Sequence, residues 1–292
     1  MHFRGAVDNR PAYEAARFGD IIVKISCNGI EWSVFVEGNG KPLVFLHGFP
    51  FDQELYHNAC QPLTDRYRVV IPDLPGFGES RFRTGEEPTC LAMSDFADGL
   101  LSLLDALDEP NALICGLSMG GYIAMQFFRR YPKRLAGLIF CDTRSTPDLP
   151  TTAEKRRLLA DSVHQTGVAF LADQMVSSLL SPRTLAENQK VVAFLTKMIS
   201  RQDASAVAAA ARGMADRDDS TLFLKDIAVP TLFLVGEDDR ISPPDVMRQM
   251  ADSVPGSEFQ TIPGAGHLPP LENPELFTLT IRRFADCVYD GA

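Results

Sequence analysis

The sequence has few of the features that mark secreted or membrane-spanning proteins. No stretch of about 18 apolar residues runs without a charge, which argues against a transmembrane helix. The first residues lack the apolar core and the cleavage site of a secretory signal. No two cysteines form a C-x-x-C pair; they stand apart at Cys27, Cys60, Cys90, Cys115, Cys141 and Cys287. Because isolated thiols are typical of a reducing compartment, we expect a cytoplasmic protein.

Positive charge is also scarce. The chain carries 28 Lys and Arg against 38 Asp and Glu, a net charge of −10. A nucleic-acid backbone and an anionic membrane surface would both repel it, so we expect neither as a partner. The hydrophobic content of 45% in 292 residues is ample for a large core. A small molecule remains the expected ligand, bound by a monomer or a homodimer.

Short apolar runs predict an α/β fold. Residues 1–18 are polar without a sustained period and are interpreted as an N-terminal extension. Two alternating runs, Ile21–Cys27 and Ile30–Val36, flank an Asn-Gly pair and predict a β-hairpin. Six further strand candidates follow, at Leu43–Leu46, Val69–Ile71, Ala112–Cys115, Leu135–Cys141, Thr231–Val235 and Glu258–Ile262. Because most of these runs do not alternate, we predict a mostly parallel eight-stranded sheet with helices on both faces.

One long segment has helical patterns and no strand candidate. It extends from about Ser145 to Asp226, between the sixth and seventh predicted strands. An Ala-rich run, Ala204–Ala211, follows Asp203, a candidate N-cap. An all-helical insertion after the sixth strand is best placed as a cap over the strand ends. The predicted division is an extension at 1–18, a core at 19–144 and 227–292, and a helical cap at 145–226.

A serine lies in a glycine-rich turn between a predicted strand and a predicted helix. The residues Gly116, Ser118 and Gly120 form the pattern G-x-S-x-G. A strand that runs directly into a helix forces the turning residue into a strained conformation, and neighbouring glycines leave room for it. This is the pattern of the nucleophile elbow, and it predicts Ser118 as a nucleophile.

A serine nucleophile requires a base and an orienting carboxylate. Among the five histidines, His267 lies in a Gly/Pro-rich loop directly after the last predicted strand, where it can reach a site at a strand end. His47 also follows a strand, but we expect it to hold its loop by hydrogen bonds. The acid is expected between serine and histidine in the chain. Asp239 is the predicted acid and Asp238 its alternative.

Attack on a carbonyl places charge on oxygen, which needs preorganised donors. The backbone N–H of Met119 follows the nucleophile at a helix N-terminus. The backbone N–H of Phe49 lies in the loop after the third predicted strand. We predict these two amides as the oxyanion hole.

Five segments resemble signature blocks of the α/β-hydrolase superfamily, in its serine-triad branch. They are HGFPFD, YRVVIPDLPGFGES, GLSMGGYIAMQFFRRYP, VPTLFLVGEDDRISPP and IPGAGHLPPLENPELF, and the resemblance extends from about Asp20 to Tyr289. It implies an acid three positions after Gly236, at Asp239. Some relatives place the acid after the preceding core strand, where this chain has Asp142. Within the superfamily, the chain is most similar to the 3-oxoadipate enol-lactonase-like and small carboxylesterase group.

The resemblance implies a carboxylic ester hydrolase that cleaves a small, largely apolar ester or lactone through an acyl-enzyme on Ser118. It implies neither a metal nor an organic cofactor. Alternatives with the same triad are a C–C bond hydrolase and a cofactor-free haloperoxidase or perhydrolase, and an alternative of another class is a small-molecule receptor on the same fold. Haloalkane dehalogenases and epoxide hydrolases are disfavoured, because they require Asp at the position of Ser118.

Candidate substrate-binding residues lie in and before the cap. Arg144 has two open interpretations, as a ligand for a substrate carboxylate or as a structural ion-pair donor. Apolar cap residues are candidates for the pocket lining, namely Phe170, Met175, Leu179, Phe194 and Met198. Bacterial enol-lactonases usually carry a cap Trp that lines the substrate site, whereas the one Trp here, Trp32, lies in the predicted hairpin.

Overall fold

A mostly parallel sheet forms the centre of the protein. The computed structural model describes residues 22–83 and 88–291, so the predicted extension at 1–18 lies outside the described residues. The strands are β1 Ile22–Cys27, β2 Ile30–Glu37, β3 Pro42–Leu46, β4 Arg68–Pro72, β5 Arg81–Phe82, β6 Ala112–Leu117, β7 Leu135–Cys141, β8 Thr231–Gly236 and β9 Glu258–Ile262. Their order in the sheet is β1-β2-β4-β3-β6-β7-β8-β9, and β5 pairs with β2.

The sheet begins with an antiparallel hairpin and continues in parallel. Cys27 pairs with Ile30 across the turn. Asn28 and Gly29 both have positive φ, as a type I′ turn requires. Strand β2 is antiparallel to β4, and every later pair from β3 to β9 is parallel. The predicted fold class is confirmed. The two-residue β5 is an addition that the sequence did not predict, because a run so short shows no periodicity.

Burial explains why the central strands lack alternation. Every residue of β3, β6 and β8 is buried, so neither face of these strands needs polar side chains.

Eleven α-helices are present in the described residues. The helices are α1 His57–Cys60, α2 Met93–Ala106, α3 Met119–Arg130, α4 Pro150–Thr166, α5 Ala169–Leu179, α6 Pro182–Glu187, α7 Gln189–Ser200, α8 Ala204–Ala215, α9 Pro244–Asp252, α10 Pro269–Glu272 and α11 Pro274–Asp290. Helix α2 packs on α3, α1 packs on α11, and α9 packs on β8.

Helices α4 to α8 form the segment between β7 and β8, and we call residues 145–226 the cap. Helix α4 packs against α8, and α5 packs against α7. The N-cap prediction for α8 is confirmed, because the Asp203 carboxylate accepts the N–H groups of Ser205 and Ala206 at 2.8 and 3.0 Å. The division into domains stays a prediction. Within residues 22–83 and 88–291, no helix combines the length and the apolar character that crossing a membrane requires.

Candidate active site

The carboxyl ends of four neighbouring parallel strands lie side by side at one end of the sheet. Strands β6, β7, β8 and β9 are adjacent. Ser118 follows β6 directly, Asp142 follows β7, and Asp239 lies in the turn after β8. His267 lies in the loop after β9. Because ligands of open α/β sheets bind outside the carboxyl ends of the strands, this end of the sheet is the expected place for a site.

Ser118 occupies the strained turn that the sequence predicts. Its φ of 53° and ψ of −111° lie in a region that non-glycine residues seldom adopt. The Ser118 N–H donates to the carbonyl of Cys141 at 2.9 Å, and the Thr143 hydroxyl donates to the Ser118 carbonyl at 2.8 Å. These bonds, both to the neighbouring strand end, hold the residue in a conformation that costs about 1–3 kcal/mol. Backbone strain of this kind concentrates at functional sites.

The two glycines of the motif are required by close backbone contacts. A Cβ at Gly116 would lie 2.3 Å from the carbonyl oxygen of Gly120. A Cβ at Gly120 would lie 2.2 Å from the carbonyl oxygen of Leu46, at the end of β3. The start of α3 is therefore pressed against both β6 and β3. This contact brings the Met119 amide close to the loop that follows β3.

His267 and Asp239 form a buried hydrogen-bonded pair. The distance from His267 Nδ1 to Asp239 Oδ2 is 2.8 Å. The second carboxylate oxygen, Oδ1, accepts the N–H of Ile241 at 2.8 Å. The alternative acid, Asp238, has an exposed side chain, and its N–H donates to the carbonyl of Ala265. The geometry therefore joins Asp239 rather than Asp238 to the predicted base.

The surroundings of Asp239 favour its charged form. Burial alone would raise the pKa of its carboxyl. The electrostatic interaction with His267 and the hydrogen bonds from His267, Ile241 and Ser242 outweigh burial and hold the pKa below its ordinary value. Asp239 is therefore a carboxylate at neutral pH, directed at Nδ1 of the imidazole.

Asp142, the other alternative acid, is fully buried beside this pair. Its Oδ1 accepts the N–H of Gly236 at 2.8 Å, and the Cys141 thiol donates to its Oδ2 at 3.1 Å. Burial and the charge of Asp239 raise the pKa of Asp142 well above its ordinary value. The surroundings thus favour the protonated form of Asp142 and the charged form of Asp239.

These three side chains also form a group that could in principle hold a metal ion. In the described chain, one ligand atom each from Asp142, Asp239 and His267 lie within 4.8 Å of one another. Nδ1 of His267 is already engaged with Asp239, and the Asp142 carboxyl already accepts the N–H of Gly236 and the thiol of Cys141. We interpret the group as a hydrogen-bonded cluster rather than a metal site.

The loop after β3 is fixed by His47. Its Nδ1–H donates to the Gly48 carbonyl at 2.8 Å, and its Nε2 accepts the N–H of Leu74 at 3.0 Å. Burial lowers the pKa of His47 to about 4, so the ring is neutral and can both donate and accept. The predicted structural role of His47 is confirmed. The loop that it holds carries the Phe49 amide, while the Met119 amide lies in the first turn of α3, where N–H groups have no intrahelical acceptor.

The cap candidates lie at different depths. Leu179 and Met198 are buried, and the Leu179 carbonyl accepts the backbone N–H of His267 at 2.8 Å. Partly buried and packed on the core are Phe170, Met175 and Phe194. Their contact with substrate stays a prediction.

Arg144 lies beside α3 rather than among the cap candidates. It lines a crevice of about 10 Å³ with Tyr122, Gln126 and Arg217, and the residues that line this crevice include neither Ser118 nor His267. A crevice of about 10 Å³ has room for about one water molecule. Both interpretations of Arg144, as a ligand for a substrate carboxylate and as a structural ion-pair donor, stay predictions.

Sequence reasoning did not single out Glu272, which contacts both the cap and the loop of His267. Its Oε2 accepts the N–H of Ser181 at 2.7 Å, and its Oε1 accepts the N–H of Gly266 at 2.8 Å. The only signal in the sequence is an acidic residue five positions after His267 in a proline-rich stretch. Such a residue is ordinary in a loop, so the pattern alone does not reveal its partners.

Comparison with known proteins agrees with this architecture. Residues 41–274 match the family model described as alpha/beta hydrolase fold. A thermophilic esterase from Thermogutta terrifontis is 42% identical, with a TM-score of 0.88 over 92% of this chain and 99% of that chain. The enol-lactonase from Burkholderia xenovorans LB400 is 22% identical, with a TM-score of 0.82 over 90% of this chain and 99% of that chain.

Similarity to curated sequences is lower but equally extensive. The pimeloyl-[acyl-carrier protein] methyl ester esterase of Nitrosospira multiformis is 26% identical over 266 residues, which cover 87% of this chain and 98% of that protein. The family model spans well over half of the chain. The chain therefore belongs to the α/β-hydrolase fold family.

Proposed function

We propose that this protein hydrolyses a small, largely apolar ester or lactone through an acyl-enzyme on Ser118. That the chain is a carboxylic ester hydrolase follows from its 42% identity to an esterase over 92% of its length. The observation that carries the finer proposal is the 2.8 Å hydrogen bond between His267 and Asp239, which lie at the same end of the sheet as the strained Ser118.

In the proposed first step, Nε2 of His267 takes the hydroxyl proton of Ser118 as the oxygen attacks the carbonyl carbon. The oxyanion of the tetrahedral intermediate accepts the N–H groups of Phe49 and Met119. When the intermediate collapses, the bond to the leaving oxygen breaks and the proton on His267 passes to it. In the second step a water molecule loses a proton to His267 and attacks the acyl carbon. The bond from this carbon to Ser118 Oγ then breaks, the proton on His267 passes to Oγ, and the acid is released.

Asp239 supports both steps through His267. Its carboxylate accepts the Nδ1–H, which fixes the ring in the tautomer with a free Nε2. Its negative charge also stabilises the imidazolium that forms in each step. A pair with side chains this deeply buried, 2% and 0% exposed, is poorly screened by solvent, so the stabilisation is larger than at a surface.

The expectation of an apolar substrate rests on the residues available above the strand ends. The cap supplies Phe170, Met175 and Phe194, which are only partly buried. The one tryptophan, Trp32, is fully buried in β2 of the core, so the cap lacks the Trp expected of a bacterial enol-lactonase. These features favour an apolar acyl group over a dicarboxylate lactone.

The proposal is tested by steady-state hydrolysis of p-nitrophenyl acetate, butyrate and octanoate and of γ-butyrolactone, with wild type and Ser118→Ala. Circular dichroism establishes that both are folded. Removal of a triad nucleophile costs on the order of 10⁶-fold in kcat. Activity that survives in the variant would exclude the acyl-enzyme. A wild type that binds these esters without turnover would favour the receptor alternative.

A further inference from the structure

A single carboxylate joins the cap to the loop that bears the proposed base. Glu272 is the last residue of α10, and the loop from residue 263 to 268, which we call the His267 loop, lies directly before this helix. Oε1 of Glu272 accepts the N–H groups of Gly266 at 2.8 Å and Leu268 at 3.3 Å, the residues on either side of His267. Oε2 accepts the N–H of Ser181 in the cap at 2.7 Å.

The cap side of this junction has further contacts. The hydroxyls of Thr184 and Ser181 both interact with the Glu272 carboxyl and lower its pKa. The backbone N–H of His267 donates directly to the carbonyl of Leu179, the last residue of α5, at 2.8 Å. His267 is thus held by the cap directly through its own amide, and indirectly through Glu272, which accepts the amides of its two neighbours. We call this set of contacts the Glu272 junction.

The two sides of the Glu272 junction are in tight contact. A Cβ at Gly266 would lie 2.7 Å from the Ser181 nitrogen and 2.9 Å from the carbonyl carbon of Leu180. A cavity of about 420 Å³ adjoins the junction and is lined by both Glu272 and Thr184. Separation of the two sides would therefore break two amide hydrogen bonds, Ser181 to Glu272 and His267 to Leu179, and admit solvent to the backbone of the His267 loop.

A second cap–core junction lies elsewhere and provides a comparison. Arg201, directly after α7, makes a bidentate ion pair with Asp52 of the core, with Nε–Oδ2 and Nη2–Oδ1 distances of 2.9 Å. Gln202 donates to the same carboxylate at 2.8 Å and accepts the N–H of Gly78 at 3.0 Å. Within the described chain, none of these hydrogen bonds reaches the His267 loop. We call this set the Arg201 junction.

We propose that Glu272 is a positioning residue that couples the cap to the base, so that His267 is aligned with Ser118 only while the cap is docked on the His267 loop. This inference rests on the proposed serine-hydrolase function. A carboxylate that accepts three amide hydrogen bonds from two segments fixes their relative position, because charge-assisted bonds are shorter and stronger than neutral ones. Binding of substrate beneath the cap and alignment of the base then become one event.

The matched variants are Glu272→Gln and Arg201→Gln, each of which replaces a charged group by an amide at one of the two junctions. In Glu272→Gln one carboxylate oxygen becomes an NH₂ group, which cannot accept a hydrogen bond from a backbone N–H. The variant therefore loses the hydrogen bonds either to Ser181 or to the His267 loop. We expect kcat for p-nitrophenyl acetate to fall at least about tenfold while KM changes less than about twofold, as for loss of an interaction made in the transition state. We expect Arg201→Gln to leave kcat for acetate within about twofold and to raise KM for octanoate.

Hydrogen–deuterium exchange measures the coupling without any turnover. In Glu272→Gln we expect faster exchange both at the cap amides of residues 179–184 and at the amides of residues 266–268. In Arg201→Gln faster exchange should stay near residues 200–202. If wild type proves inactive on every ester, the proposed function fails, and these exchange rates still decide whether the coupling exists.

Three results would overturn the inference: an unchanged kcat in Glu272→Gln, the same kinetic pattern in both variants, or faster exchange in Glu272→Gln that is confined to the cap. If Glu272→Gln does not fold, Thr184→Val replaces it, because this change removes only the hydroxyl on the cap side. A fall in kcat for acetate of about threefold or more at unchanged KM is then expected, and no change in kcat would refute the coupling.

Discussion

Two carboxyl groups of the same chemical type have different roles at the end of the sheet. Asp239 receives hydrogen bonds from His267 and from two backbone amides, which stabilise its charge. Asp142 accepts one amide and one thiol and is fully buried. Two buried carboxylates this close repel each other, so only one of them ionises readily. The surroundings give the charge to Asp239, and the proposed orienting role follows from that charge.

The two acids are distinguished by matched substitutions. We expect Asp239→Asn to lower kcat by about 10⁴-fold, because an amide favours the wrong tautomer of His267 and leaves the imidazolium without a counter-charge. Asp142→Asn should keep kcat within about tenfold, because a neutral side chain replaces a neutral one and Oδ1 still accepts the Gly236 N–H. The measurement is kcat for p-nitrophenyl acetate. Equal losses in both variants would assign the triad acid to the pair rather than to Asp239.

The raised pKa of Asp142 also predicts a pH dependence of stability. Above the ordinary pKa of 3.8 the unfolded chain releases this proton while the folded protein keeps it. The folded state then binds more protons, so this residue makes the protein less stable as the pH rises. Asp142→Asn removes the effect, so the difference between its Tm and that of wild type should grow in favour of the variant as the pH rises above about 4. A Tm difference that is independent of pH would contradict a neutral Asp142.

At the level of elements, the sequence predicts features that depend on neighbours in the chain. The unalternating strand candidates, the hairpin turn at Asn28 and the N-cap of α8 at Asp203 are all present. The bond from Ser181 to Glu272 joins positions 91 apart, and the pair of Asp52 and Arg201 joins positions 149 apart. Local periodicity carries no information about such contacts. The proposed triad was predictable for a different reason, since each member follows a predicted strand and Ser118 lies in the G-x-S-x-G motif.

The contact between α3 and β3 predicts a large cost for a single methyl group. In Gly120→Ala the added Cβ meets the backbone of Leu46 at 2.2 Å, which no side-chain rotation can relieve. We expect the free energy of unfolding to fall by more than about 2 kcal/mol, together with a loss of kcat as the Met119 amide moves.

The matched control for this change is Gly291→Ala. It adds the same group at a glycine in the left-handed helical conformation, with φ of 69° and ψ of 28° and nothing within 4 Å, and should cost only about 1 kcal/mol. Urea unfolding measures both variants. Equal costs would mean that the start of α3 can shift away from β3.

At the level of the whole molecule, the cap is joined to the core at the two ends of its chain segment as well as at the Glu272 and Arg201 junctions. Asp148, which precedes α4, forms ion pairs with Arg217 at 2.8 Å and Arg156 at 2.6 Å. Arg217 follows α8 and lies 4.2 Å from the ring centroid of Tyr122 in α3. The entry and the exit of the cap are thus bound to each other and to the helix that begins at Ser118. Motion of the cap is therefore expected at the Glu272 and Arg201 junctions rather than around Asp148 and Arg217, where its two ends are held.

The ion pair between Arg217 and Asp148, at the two ends of the cap segment, should contribute more to stability than the surface pairs. The side chains of Arg217 and Asp148 are 4% and 3% exposed, so Asp148→Asn leaves a buried guanidinium without its counter-charge. Breaking such a pair typically costs about 3–5 kcal/mol in the free energy of unfolding.

The surface control is Glu187→Gln, which breaks an i,i+4 pair whose side chains are 74% and 67% exposed, and should cost less than about 0.5 kcal/mol. Urea denaturation at neutral pH measures both changes. If Asp148→Asn cost no more than Glu187→Gln, the two ends of the cap segment would be held by apolar packing alone. Motion of the cap would then no longer be confined to the Glu272 and Arg201 junctions.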